Sequence, residues 1–141
     1  MSIESRLRDV AGWLRDIDAE VREGTGDTPT LSFRRGSVLV LVVAFGGDES
    51  PEVLRLSTRV VRDVTAHEKP DLMAYLLQQN EHMVFCSFSV DSAGDIWLST
   101  ALLAGLDRKD FLFVLSELLS VADTADDSIV QKWGGERFVD M

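Results

Sequence analysis

The sequence predicts an α+β fold: one mostly antiparallel sheet packed with helices. Three observations lead there. Apolar residues near both ends of the chain recur at spacings of three and four, the mark of amphipathic helices. Between them, short runs alternate apolar and polar residues with the two-residue period of strands. A hairpin signature, "VFCSFSVDSAGDIWLSTALL" at 84–103, falls between two helical stretches. The predicted order is helix, three strands, helix, two strands, helix and a short tail. No repeat or interdomain linker interrupts it, so residues 1–141 are expected to form one domain.

The first helix carries Ile3, Leu7, Val10, Leu14, Ile17 and Val21 on one stripe, with Trp13 at its edge. Ser2 is placed to cap its start, and Gly24 and Gly26 to end it. Leu31 and Phe33 then alternate with polar neighbours, and "RRGS" turns the chain into "VLVLVVAF". This run is apolar on both faces, which predicts a central strand covered on both sides. Leu54, Leu56, Thr58 and Val60 share one face of the next strand; Arg55, Ser57 and Arg59 share the other, where water is expected. Pro70 suits the first position of the second helix, which carries Leu72, Met73, Tyr75, Leu76 and Leu77 and stops near Asn80. Asp107 is placed to cap the third helix, with Asp110 three residues on and an inner stripe of Phe111, Val114, Leu115, Leu118 and Ala122. A separate short helix is predicted around Ile129 and Trp133, ended by Gly134 and Gly135.

The hairpin is specific enough to read in register. "DSAG" fits a type I turn followed by a glycine able to take positive φ. Asp91 then lies near Asp95, and Val90, Ser89 and Phe88 lie opposite Ile96, Trp97 and Leu98. One face holds Cys86, Phe88, Val90, Ile96 and Leu98, a core set. The other holds Phe85, Ser87, Ser89, Trp97 and Ser99. Two aromatic rings thus fall among serines. Either a helix or the C-terminal tail covers Trp97, or Trp97 and Phe85 form a partner-binding surface. Phe113 poses the same choice, since it lies on the Ser116, Glu117 and Ser120 side of the third helix. It either packs on the tail near Trp133 or Phe138, or belongs to a dimer or peptide interface, where aromatic residues are enriched.

Charge limits the partners. The 141 residues carry a formal net charge of -10 and a pI near 4.5. Such a field repels nucleic acid and anionic lipid and suits a basic or neutral polypeptide. Cys86 is the single cysteine, so no internal disulfide is possible. The N-terminal segment has no apolar signal core, and no apolar run approaches a membrane span, so the expected compartment is the cytoplasm.

No catalytic or cofactor site is expected. His67 and His82 lack neighbours at metal-ligand spacing. Cys86 reads as a small buried hydrophobe rather than a nucleophile. Phosphate loops, dinucleotide fingerprints and nucleophile elbows are missing from the sequence. The acidic "ADTADD" at 122–127 reads as a solvated helix end, without the ligand spacing of a calcium loop.

The stretch from Leu76 to Asp126, "LLQQNEHMVFCSFSVDSAGDIWLSTALLAGLDRKDFLFVLSELLSVADTAD", with the later "KWGG", resembles the YbjN-type and type III secretion chaperone-like family. The resemblance rests on Leu76, Leu77 and Asn80 at a helix end, Phe88 and Ser89 in a strand, and Asp91 and Gly94 in an acidic turn. Leu106 and Asp107 at a helix start and Ala122 and Asp123 near its end complete it. It implies an α-β-β-β-α-β-β-α order and a non-enzymatic, chaperone-like module that holds an extended segment of a client polypeptide on apolar patches. The alternative it implies is a small sensory or stress regulatory domain that binds a folded protein. With Phe113 on an otherwise polar helix face, the resemblance also predicts a homodimer. The expected partner-binding residues are Phe85, Trp97 and Phe113, with no cofactor and no metal.

Overall fold

In a computed structural model, residues 3–24, 30–36, 38–47 and 50–137 are described. The elements follow in the order α1 (Ile3–Asp16), β1 (Glu20–Glu23), β2 (Thr30–Arg35), β3 (Val38–Gly47), β4 (Ser50–Arg62), α2 (Pro70–His82), β5 (Ser87–Val90), β6 (Ile96–Leu103), α3 (Arg108–Trp133) and β7 (Glu136–Arg137). A short 3-10 turn, Ala66–Glu68, precedes α2. The strands form one antiparallel sheet in the order β1-β2-β3-β4-β6-β5, and β7 pairs with the end of β4. The α+β class and the alternation of helices and strands are as the sequence predicts.

The core lies on one face of this sheet. Leu31, Phe33, Val40, Val42, Leu54, Leu56, Ile96 and Leu98 point inward from the strands and are almost fully buried. Val10 and Leu14 of α1, Leu72 and Leu76 of α2, and Phe111, Leu115 and Leu118 of α3 join them in one cluster. Trp13 packs on Phe111 with ring centroids 5.5 Å apart, which ties α1 to α3. Thr58 lies in the same buried row; its hydroxyl donates to the Leu39 carbonyl at 2.8 Å, so its burial leaves no polar group unmet.

Three features differ from the sequence reading. Helix α1 ends at Asp16, before Gly24, and Val21 lies in an added edge strand, β1, opposite Phe33. Asp18 takes a positive φ of 62° and the Ala19 N–H returns to the Leu14 carbonyl, closing the helix. Ile17 and Val21 continue the apolar spacing because the core lies on the same side of both elements; spacing reports the side, not the conformation. The predicted Ser2 cap and the Gly26 stop lie outside the described residues.

The third helix runs unbroken from Arg108 to Trp133, so the separate helix at Ile129 is its last part. Ala122, Ala125, Asp126 and Ile129 are buried and extend the inner stripe through the acidic stretch. The Asp107 carboxylate accepts from the Asp110 N–H at 2.9 Å, as a capping residue does. Arg62 meets Glu136 at 2.7 Å and Arg137 meets Asp127 at 2.7 Å, fastening β7 to β4 and α3.

The third difference concerns β3. Its inward residues are buried, but Leu41 is 40% and Phe45 46% exposed. The expectation of cover on both sides is therefore wrong. The buried cluster joins all three helices to the inward strand residues, and the outer side of β3 faces outward without a helix among the described residues.

Candidate functional site

The open face is built in rows of cross-strand neighbours. Phe45, Val53 and Leu103 form one row, on β3, β4 and β6. Val43, Arg55 and Ala101 form the next, followed by Leu41, Ser57 and Ser99. Trp97 and Arg59 stand opposite each other beyond these, with Ser89 on the far side of Trp97. Side chains on alternate residues of a strand share a face, so these rows make one continuous surface. Leu103 is 61% exposed. The Ser99 hydroxyl donates to that of Ser57 at 3.0 Å, leaving a small, flat centre between apolar and basic side chains. A shallow depression lined by Leu41, Val43, Phe45, Arg55, Trp97 and Ser99 runs along this surface.

Trp97 is held in place by the hairpin turn. The predicted register is observed throughout: Phe88 faces Leu98, Ser89 faces Trp97 and Val90 faces Ile96. Gly94 takes the positive φ expected of it, 85°. The Asp91 carboxylate accepts from the backbone N–H groups of Ala93 and Asp95, both at 3.0 Å, and from the Trp97 indole N–H at 2.9 Å. The indole hydrogen bond, first among these contacts, holds the Asp91 carboxyl below its usual pKa. The Arg59 guanidinium lies 4.9 Å from the centre of the indole ring, and its Nε is 3.7 Å from an Asp95 oxygen. Trp97 is therefore half-buried by the turn and by Arg59, not by a helix.

Phe85 is placed differently from the strand extrapolation. Strand β5 begins only at Ser87, and the preceding bend carries Phe85 to α3. Its ring meets Phe113 edge-on, with centroids 5.4 Å apart. Both rings remain about half exposed, at 42% and 52%. Phe113 therefore does not pack on Trp133, whose ring lies instead 5.0 Å from that of Tyr75. Its other predicted neighbour, Phe138, lies outside the described residues. The structure thus groups Phe85 with Phe113 and sets Trp97 apart.

The two groups border one surface. A depression of about 440 Å³ is lined by Phe45, Arg55, Val84, Phe85, Ser99 and Ala101, among others. It follows the outer edge of β6, where Thr100–Leu103 extend past the end of β5 and pair only with β4 among the described residues. The edge of β5 is closed in a different way. The Asn80 side chain donates to the Phe88 carbonyl at 3.1 Å and accepts from the Phe88 N–H at 2.6 Å, as a neighbouring strand would. Sequence reasoning missed Leu41, Phe45, Val84 and Leu103 as surface residues, whereas Arg55 lies on the wetted face of β4 as it predicted. The second apolar face of β3 was the signal for the first two.

Cys86 is buried, and burial with the nearby Glu117 charge pushes its thiol pKa up, which suits a packed side chain rather than a thiolate. Among the described residues, no group of three His, Cys, Asp or Glu side chains is placed to hold a metal ion. No helix there is long and apolar enough to cross a membrane.

Known proteins share this architecture. The crystal structure titled "Crystal Structure of the ExsC-ExsE Complex" contains a chain that superposes with a TM-score of 0.62 at 20% identity, covering 90% of this chain and 96% of the other. At that identity the likeness is one of fold. No curated protein matches significantly in sequence. The profile of the family described as "T3SS (YopN, CesT) and YbjN peptide-binding chaperone 1" matches residues 7–141, nearly the whole chain, and this protein belongs to that family.

Proposed function

We propose that residues 1–141 act as one non-enzymatic, chaperone-like domain that holds an extended segment of a client polypeptide on apolar patches. The carrying observation is the exposed apolar surface that runs from Leu41, Phe45 and Leu103 on the sheet to Val84, Phe85 and Phe113 at its edge. Isolated exposed hydrophobic residues are ordinary, but a joined set rimmed by polar side chains marks an interaction surface. The family supports a polypeptide as its occupant. Trp97 borders the patch as a fixed aromatic wall, and Phe85 and Phe113 supply a second anchor. The protein works in the cytoplasm as a homodimer on this reading.

A photoreactive phenylalanine analogue at position 85 tests the assignment in the native cytoplasm. The expected product is a crosslink to a short, unstructured stretch of another protein, mapped by mass spectrometry. Crosslinks spread over the surface of a folded protein would favour a regulatory domain instead. Light scattering at micromolar concentration tests the dimer; a monomer of 15.6 kDa would refute it.

A further inference from the structure

We infer that the open sheet face selects client segments in which acidic side chains accompany apolar ones, with Arg55 as the carboxylate anchor. This rests on the peptide-binding reading and names the chemistry of the occupant. Charge complementarity between the face and its occupant carries this inference. The whole chain has a formal net charge of -10, yet the outward strand positions carry Arg22, Arg34, Arg55, Arg59 and Arg62. Against them stand Glu20 and Glu136, which face Arg34 and Arg62 at the ends of the sheet, and the turn carboxylates Asp91 and Asp95, which are engaged by the Trp97 indole and by Arg59, so five arginines meet four acids. The local sign is therefore opposite to that of the molecule.

Within this set Arg55 is central. Arg59 is engaged by Asp95 and by the Trp97 ring, and Arg62 by Glu136. Arg55 is exposed and makes no ion pair among the described residues. It stands between Val43 and Ala101, one row from Phe45, Val53 and Leu103 and one row from Leu41. It lines both depressions described above. A guanidinium offers paired donors to a carboxylate, and the flanking apolar rows would shield that pair from water. The same charge opposes a second copy docked face to face, since that would bring arginine faces together.

The test uses three fluorescein-labelled peptides of one pattern, leucine with glutamate, leucine with glutamine and leucine with lysine, titrated against the full chain by fluorescence anisotropy. The glutamate peptide is expected to bind about threefold to tenfold more tightly than the glutamine one, the range of a partly shielded ion pair, with the lysine peptide weakest. Salt should narrow the difference. Arg55→Glu should reverse the order, and circular dichroism melting should show that its exposed position leaves the fold intact. Equal binding of all three peptides would overturn the selectivity and leave peptide binding standing. Binding of none would overturn both. A homodimer dissociated by Phe45→Glu would assign the face to a second copy and also overturn the inference.

Discussion

Trp97 gives the sharpest test of how the open face is built. Trp97→Phe keeps an aromatic ring but deletes the indole N–H that donates to Asp91 at 2.9 Å. A hydrogen bond to a charged group contributes about 1.5–3 kcal/mol. Water can reach the partly exposed Asp91 carboxylate and replace part of that, so the expected loss is about 1 kcal/mol. Trp97→Ala also removes the Arg59 contact, worth about 0.5–1 kcal/mol at an exposed site, for a total of about 2 kcal/mol. Phe88→Ala, on the buried side of the same hairpin, should cost about 3–5 kcal/mol. Urea unfolding orders the three: with a slope of about 2 kcal/mol per molar, the midpoints should fall by about 0.5, 1 and 2 M. The pH dependence supplies a second reading. Asp91 has a folded pKa below its ordinary value of 3.8, so its contribution is present above that pH and is lost as pH falls through the folded pKa. The gap between wild type and Trp97→Phe should therefore narrow in acid. A Trp97→Ala variant as unstable as Phe88→Ala would refute the placement of Trp97 outside the core, and a Trp97→Phe gap that stayed constant into acid would refute the Asp91 bond.

Other positions give independent checks. Asn80→Ala removes both side-chain bonds to the Phe88 backbone and should cost about 1–3 kcal/mol in urea unfolding, with increased aggregation as the β5 edge opens. Gly94→Ala should be destabilising by about 2 kcal/mol or more, since a Cβ there would lie 2.3 Å from the His67 ring at a φ of 85°; a melting temperature equal to wild type would contradict the turn geometry. Asp126 is buried and its pKa is raised, chiefly by desolvation. The folded state then loses stability as pH rises from 3.8 through the folded pKa, so Asp126→Asn should melt higher than wild type at neutral pH and equal to it in strong acid. A neutral-pH melting temperature below wild type would count against that.

The sequence by itself determined the elements and the hairpin register. Residues 88–98 could be aligned because a shift of one residue would have turned Phe88 and Leu98 out of the core, and Gly94 was able to close the turn. Strand β4 was equally plain, since Leu54 and Leu56 alternate with Arg55 and Ser57. Local pattern fails where two conformations point the same side chain inward. Ile17 and Val21 kept a helical spacing across the α1–β1 boundary, which only the pairing of Val21 with Phe33 resolves. Tertiary structure alone decided which side of β3 is covered. Its two apolar faces are indistinguishable in sequence, and the face left open is the one opposite the packed helices. The pairing of Phe85 with Phe113 also lay beyond the sequence, because it depends on where β5 starts and how α3 crosses the sheet, and side chains from distant segments meet only once the chain is packed.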